Sequence, residues 1–520
     1  MADKKKGLSF LQLPIPPQVK RAKVTKRSWT ELNMRQTVDS GALSSEYNIC
    51  TDAFPALMTA DKPESVFAQF HGQKVLSIHG FDEFLIIVSV DYDDENGKSG
   101  IKFTRIKKVG NSYTAKSSAV YLTEDVQSIR SIIQFNVFTN DDETESLGEY
   151  DRKFVVFPDK VSFDYDESGD KIIVKSIEVS DENGNLTNAV PDIKYATVHL
   201  SRVFGVDDSM VYASAFNDYT NWTVDTANEY NEANAWYTAS QSNSKADGVF
   251  TGITTFQNHV VCFKKDFMHE IYNTKNPFRI QDIYAEGAID IRSVCDVDGQ
   301  LIFCSNDAVK VYTGGNPRII SYNLGIDNIY SAVAGTDGRR YYLSIRHTSD
   351  ENEKASSIYV YDTYCGAWSK RTIPASLSGQ DNPSVIGYAN VKFGMFCLCD
   401  NGYIYKLDSG VPCDEWYFET DLMTTGSCDI KHIDKLQMCC DIETDPEIPE
   451  KVASVKIELV SESGNYLELW NSNGKSGYVI ARVKIRKFVC NAFKIRVSGT
   501  GKVRIRSMEL FIKQGGELYE

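Results

Sequence analysis

Ile253-Thr254-Thr255-Phe256-Gln257-Asn258-His259-Val260-Val261-Cys262-Phe263 runs on to Glu270-Ile271-Tyr272. The unit returns as Ser293-Val294-Cys295-Asp296-Val297-Asp298-Gly299-Gln300-Leu301-Ile302-Phe303, ending at Lys310-Val311-Tyr312, so that Tyr272 and Tyr312 lie 40 positions apart. Asp298-Gly299 returns 39 positions on as Asp337-Gly338, ahead of Tyr341-Tyr342-Leu343-Ser344-Ile345. A last copy reads Ile386-Gly387-Tyr388, then Met395-Phe396-Cys397-Leu398-Cys399, then Asn401-Gly402-Tyr403-Ile404-Tyr405-Lys406-Leu407. Short β-rich runs and Gly turns at a period near 40 have the spacing of a propeller blade. A four-stranded blade cannot bury both faces by itself, so several must pack radially.

Within the third copy, Ile358-Tyr359-Val360-Tyr361-Asp362-Thr363 followed by Gly366-Ala367-Trp368 resembles the pattern of kelch-type blades. The resemblance implies an inner strand, a turn, and a Trp368 packed on the neighbouring blade. A single copy would read as an ordinary hairpin with an aromatic pair; four related units in series read as blades.

Upstream, Lys74–Ile78 and Glu83–Val90 are strands divided at Gly80, and Ile101–Ile106 alternates with period two. Ser131–Phe138 and Lys153–Pro158 follow, with acidic loops between, and residues 66–160 are expected to make the first two blades. Residues 161–195 break the rhythm. Their Asn183-Gly184 turn and Pro191 exit suggest an inserted hairpin. Downstream of Pro412 the 40-residue pattern stops. Residues 416–520 hold alternating runs at 451–460, 479–485, 492–497 and 502–506, expected to form a C-terminal β-sandwich of the jelly-roll kind.

Residues 1–65 read as an extended N-terminal arm, because Pro14, Pro16 and Pro17 interrupt any helix. Residues 1–35 carry nine Lys and Arg against two acidic residues, +7 on a chain whose total is −15, leaving −22 for the remainder. Such an acidic body is not a general nucleic-acid binder, while its basic arm suits an acidic partner or DNA. Lys20, Arg21, Lys23, Lys26 and Arg27 are the expected docking residues of the arm. No apolar run reaches 18 residues, so no membrane span is expected, and the first residues lack the apolar core of a secretory signal. The twelve Cys show no paired CxxC spacing and read as buried reduced thiols, which suggests assembly in a reducing cytosol.

His199-Leu200-Ser201-Arg202-Val203-Phe204-Gly205-Val206, Met210-Val211-Tyr212-Ala213-Ser214 and Tyr219-Thr220-Asn221-Trp222 together resemble a blade of phage tail hub, or nozzle, propellers. Arg202 is expected to pair with a carboxylate or carbonyl inside the blade, and Trp222 and Trp368 to be structural. The stretch Asp39–Leu57 resembles the opening of tail hub and related virion proteins, and 493–513 resembles the terminal sandwich that follows the propeller in many phage structural proteins. Discoidin-like carbohydrate modules share that last pattern.

Reactive constellations are scarce. The seven His form no HExxH, and no GxSxG or P-loop is present. Asp164-Tyr165-Asp166-Glu167-Ser168-Gly169 begins like a Ca²⁺ loop but has Lys175 at the twelfth position; Asp91–Gly97 has its Gly one place late. Both read as hairpin turns. Thr336-Asp337-Gly338-Arg339-Arg340-Tyr341 is a lone relative of the sialidase box. No catalytic residue, cofactor or metal ligand is expected. The reading is an all-β chain: an arm (1–65), a six- or seven-bladed propeller (66–415) and a β-sandwich (416–520).

The phage resemblance implies a hexameric tail ring that continues the DNA channel below portal and adaptor proteins, offers docking surfaces to fibres, and touches DNA in transit. It implies a location in the virion, after assembly in the host cytoplasm. A carbohydrate-binding tail fibre and a glycan-active propeller enzyme are the alternatives.

Overall fold

The computed structural model describes residues 20–26, 32–35, 42–93, 98–121, 130–139, 149–166, 171–180, 186–225, 231, 233–239, 248–350, 353–373, 383–426, 429–444, 452–486 and 488–514. Among them are seven four-stranded antiparallel sheets, and the chain is an all-β protein built on a seven-bladed β-propeller. The blades span 75–121, 131–176, 195–239, 250–283, 295–319, 331–372 and 385–406. The seventh takes its outermost strand from the other end of the chain. Glu64–Val66 pairs antiparallel with Ile404–Lys406, in the register Ile404 to Val66 and Lys406 to Glu64, and so closes the wheel.

Alternation along each second strand explains the radial packing. Leu85 and Ile87 enter the seam with the seventh blade, whereas Ile86 and Val88 enter the seam with the second. Val260 and Cys262 face the third blade; Val261 and Phe263 face the fifth. Leu301 and Phe303 look back to the fourth blade, and Ile302 and Cys304 forward to the sixth. A strand buried on both faces has no reason to alternate with polar residues. This is why Val260–Phe263 and Met395–Cys399 read as unbroken apolar runs. At about 25 cal/mol per Å² of apolar surface, one fully buried Phe or Leu contributes ~2 kcal/mol, and each of these seams holds about ten buried apolar residues.

Residues 43–59 and 413–514 form a second unit of two antiparallel sheets sharing one apolar core. Its five-stranded sheet runs Leu43–Tyr47, Trp416–Thr420, Phe493–Thr500, Ser454–Ser461, Tyr466–Asn471. The seven-stranded sheet is centred on Lys431–Ile442 and Val503–Gln514, flanked by Gly477–Lys484 on one side and by Ile49–Cys50 and Leu57–Thr59 on the other. Lys20–Lys26 also pairs with the last strand, Lys20 opposite Gln514 and Lys26 opposite Met508.

Three expectations change. The described residues of the segment 1–65 do not stand apart as an arm. Of these, 43–59 and Lys20–Lys26 lie in the terminal sheets and Glu64–Val66 begins the closing strand of the wheel. An edge strand left by the terminal sheets accepts backbone hydrogen bonds that an unattached arm would leave to water. Residues 161–176 are not inserted either: Val161–Asp166 and Lys171–Ser176 are the outer strands of the second blade, and only the pair Val179–Ser180 and Leu186–Asn188 stands outside it. The third change concerns Gly80, which lies within the strand Val75–Phe81. The first blade reverses at Asp82, and the third at 207–209. Gly205 is needed for proximity, since a Cβ there would sit 2.7 Å from the Ile193 side chain.

Candidate functional site

Arg202, Trp222 and Trp368 do not converge; each holds a different part of the wheel. Arg202 is buried beneath the third blade, where its Nη1 donates to the carbonyls of Ser214 (2.6 Å) and Asn234 (2.7 Å). Its cation lies 5.6 Å from the Phe278 ring of the next blade, and burial lowers its pKa to about 10. The charge therefore tethers both ends of the segment 214–235 to the strand Arg202–Val206. Trp222 lies in that segment, donates Nε1–H to the Tyr219 carbonyl (3.0 Å), and packs against Phe157 of the second blade. Trp368 fills the seam between the fifth and sixth blades and donates to the Ile320 carbonyl (2.8 Å).

That last seam has a visitor the sequence did not announce. Leu32, 1% exposed, enters the cluster around Val297, Ile302 and Trp368, with its N–H donated to the Trp368 carbonyl (3.1 Å). Arg35 then stacks over Tyr322 at 4.4 Å. Farther on, Asn48 and Glu46 run along the outer strand of the sixth blade. Asn48 Oδ1 accepts from Thr372 N–H (3.1 Å), and Glu46 accepts from Lys370 N–H (3.1 Å). Burial pushes the Glu46 carboxyl up to about 8, against the opposing pull of Lys370.

Asp362, the acidic residue of the Ile358–Thr363 motif, is fully buried at the same joint. It takes two bonds from Arg339 (3.0 and 2.6 Å) and one from the Thr51 hydroxyl (2.5 Å). Arg340 reaches Asp52 across the joint. Asp337 of the sialidase-like stretch caps its own hairpin, accepting from Arg339 N–H (3.0 Å), Arg340 N–H (2.7 Å) and the Tyr342 hydroxyl (3.0 Å). Asp164 instead forms an ion pair with Lys153 of the neighbouring strand at 2.6 Å. Glu167–Gly169 and Asp94–Gly97 lie outside the described residues.

The arrangement closest to a catalytic group spans the fourth and fifth blades. His259 Nε2 meets the Tyr312 hydroxyl at 3.1 Å, Tyr312 donates to Glu270, and Tyr272 donates to the other Glu270 oxygen at 2.8 Å. His259, Glu270 and Tyr312 are 6%, 2% and 0% exposed, so the set is a sealed polar tie between blades. Burial lowers the His259 pKa and raises that of Tyr312. The sequence hid this network because its members come from three strands of two blades.

A cavity of about 290 Å³ lies on the axis, walled by the innermost segments of all seven blades. Its polar wall includes His79, Arg130, Tyr195 and Arg292, and no carboxylate is found among its described lining residues. Arg130 is held by a bidentate pair with Asp159 (2.9 and 3.0 Å), and Arg292 by Asp290 (2.6 Å). Burial lowers the His79 pKa to about 4. A second cleft, about 320 Å³, separates the wheel from the two-sheet unit; its Asp414 pairs with Lys62 and its Glu415 accepts from Tyr47. Among the described residues no group of three or more His, Cys, Asp or Glu could hold a metal ion. Of the basic docking residues, Lys20, Arg21, Lys23 and Lys26 lie on the strand paired with Val503–Gln514; Arg27 lies outside the described residues.

No family model matches the chain, and no curated protein matches it. Solved structures of similar shape include the Neurospora crassa Pan2 WD40 domain, at 10% identity and TM-score 0.35, covering 67% of this chain and 95% of that one. The β-propeller domain of the Trilobed protease from Pyrococcus furiosus shares 11% identity at TM-score 0.33, covering 64% and 91%. The extracellular domain of the one-component system BT4673 from B. thetaiotaomicron shares 10% at TM-score 0.37, covering 87% and 60%. Similarity this slight carries nothing about activity.

Proposed function

We propose that this chain is a structural protein of a phage tail, a hub or nozzle subunit that assembles as a hexameric ring. The observation that carries the reading is the third blade. Residues 199–222, where the resemblance to nozzle propellers is most specific, spend their distinctive side chains on scaffolding: Arg202 on two carbonyls and Trp222 on the second blade. Buried polar ties of this kind make a stiff block, which suits a load-bearing ring better than a mobile catalyst. In this reading the ring as a whole frames the DNA channel below the portal and adaptor proteins, and fibres dock on its outside. The propeller's own axial cavity plays no part in DNA passage. DNA touches the ring in transit, and the net charge of −15 favours sliding over sticking. The protein acts in the virion after assembly in the host cytoplasm, without catalysis or cofactor.

The carbohydrate-binding alternative needs clustered exposed aromatics beside carboxylates. The most exposed ring among the described residues, Tyr364, is instead stacked under Arg339 at 4.6 Å, and Tyr322 under Arg35. A symmetric reconstruction of the particle tests the proposal. A sixfold ring of this fold at the tail is the expected result; a strictly trimeric fibre, or absence from the tail, overturns it.

A further inference from the structure

Cations gather on the outer face of the seven-stranded sheet, whose last strands come from a basic stretch that also supplies the five-stranded sheet. Residues 452–514 hold 12 Lys and Arg against 4 Asp and Glu, a net of +8, whereas residues 64–408 hold 31 against 48, a net of −17. Strand alternation sorts the terminal residues: Ala481, Val503 and Ile505 are buried, while Arg482, Lys484, Arg504 and Arg506 are exposed. Cross-strand register brings them together, with Lys435 opposite Lys484, Gln437 opposite Arg482, and Asp441 opposite Arg504. Arg506 is paired with Asp441 and Lys513 with Asp434. Arg482, Lys484 and Arg504 have no partner among the described residues. Tyr478 (61% exposed) and Ile480 (38%) add apolar surface between the cations. Two lysines directly opposite one another cost stability in a sheet. An anionic surface laid over them would remove that cost.

We propose that this face docks onto the acidic propeller of a second copy of the chain, head to tail. A two-fold pairing of the sheet with itself would set cation against cation, whereas a head-to-tail contact sets its exposed cations against a propeller of net −17, and heterologous contacts that close give rings. Four strands ~4.8 Å apart and about eight residues long present ~500 Å², less than the ~800 Å² per partner of a standard interface. The contact alone is therefore weak and sensitive to salt. It deepens the ring reading given above, yet its physical basis is the charge distribution, so it is tested in solution without a particle.

The experiment mixes isotope-labelled and unlabelled full-length protein at low ionic strength with a zero-length carbodiimide, which joins lysine amines to carboxylates. Mixed-isotope peptides mark links between copies. The expected links run from Lys435 and Lys484 to carboxylates within 64–408 of the other copy. They are lost at ~0.5 M salt, where screening is nearly complete beyond contact, and lost in the folded Arg482→Glu/Arg504→Glu variant, whose unchanged melting midpoint shows that the sheet is intact. Links confined to 452–514, absence of links between copies, or links that survive the charge reversal overturn the proposal. So does a monomeric protein whose basic face binds a labelled DNA duplex and loses it in the variant. Charge-dependent links without a tail ring in the particle would remove the virion reading and leave this contact standing; a tail ring whose interface excludes the sheet would do the reverse.

Discussion

Glu46 makes the joint between the propeller and the two-sheet unit weaken as pH rises from 4.5 to about 8. Its carboxyl is 4% exposed and sits beside Leu32, Leu43, Ile49 and Trp368, with the Lys370 N–H as its hydrogen-bond donor. Desolvation pushes its pKa from 4.5 to about 8, and the Lys370 bond and charge only partly oppose this. The unfolded chain ionises Glu46 near 4.5 while the folded chain keeps the proton until about 8. Between those values the native state binds more protons, so stability falls as pH rises. At 1.36 kcal/mol per pH unit, the full window is worth ~5 kcal/mol, an upper figure because relaxation and water entry reduce it. Glu46→Gln keeps the shape and removes the ionisation. Thermal or urea unfolding of both proteins at pH 5 and pH 9 reads the difference, with Lys370 the neighbour whose titration Glu46 also alters. The variant should match the wild type within ~1 kcal/mol at pH 5 and exceed it by a few kcal/mol at pH 9. An equal gap at both pH values, or a variant weaker at pH 9, would refute the reasoning.

Arg202→Met should lower stability by ~3 kcal/mol, because two buried carbonyls lose their donor, and limited proteolysis should then cut within 214–235; unaltered melting and cleavage would mean the clamp is idle. Gly402→Ala should prevent accumulation of folded protein, since its φ of +78° is unfavourable and the new Cβ would fall 1.9 Å from the Phe70 carbonyl oxygen; a soluble variant with normal circular dichroism would contradict this. Neutralising Lys20, Arg21, Lys23, Lys26 and Arg27 together should leave the melting midpoint nearly unchanged but weaken incorporation into particles in a salt-dependent way. Normal incorporation would remove the docking role of this stretch.

The wheel was legible because its period survives in the residues that must recur: the hairpin turns and the doubly buried second strands. Tyr272 and Tyr312 stand 40 apart because each ends the third strand of its blade. The first two blades were blurred, since long strands such as Lys98–Val109 stretch the spacing. Arg202 and Trp368 were readable as structural because a charge and a large ring inside apolar strands must each find a partner. What stayed hidden depends on distance in the chain. Leu32 stands between Trp29 and Met34 in a stretch without periodicity, and nothing local tells it to seek a seam 300 residues on. Glu64–Val66, three residues long, has no periodicity to display. The Glu270 network fails for the same reason, as its hydroxyls come from different strands.

Closure of the wheel by Glu64–Val66 also sets a timetable. A ribosome releases residues 43–66 early, but their partners at 404–406, 417–420 and 504–505 come hundreds of residues later. Until then neither the last blade nor the two-sheet unit can be completed, and the early strands remain open edges. Contacts this distant in sequence are slow to form. Maturation is thus held until these partners have been made, and a nascent chain stalled before residue 404 should be a substrate for chaperones and proteases, with its first blades formed and its wheel unlatched.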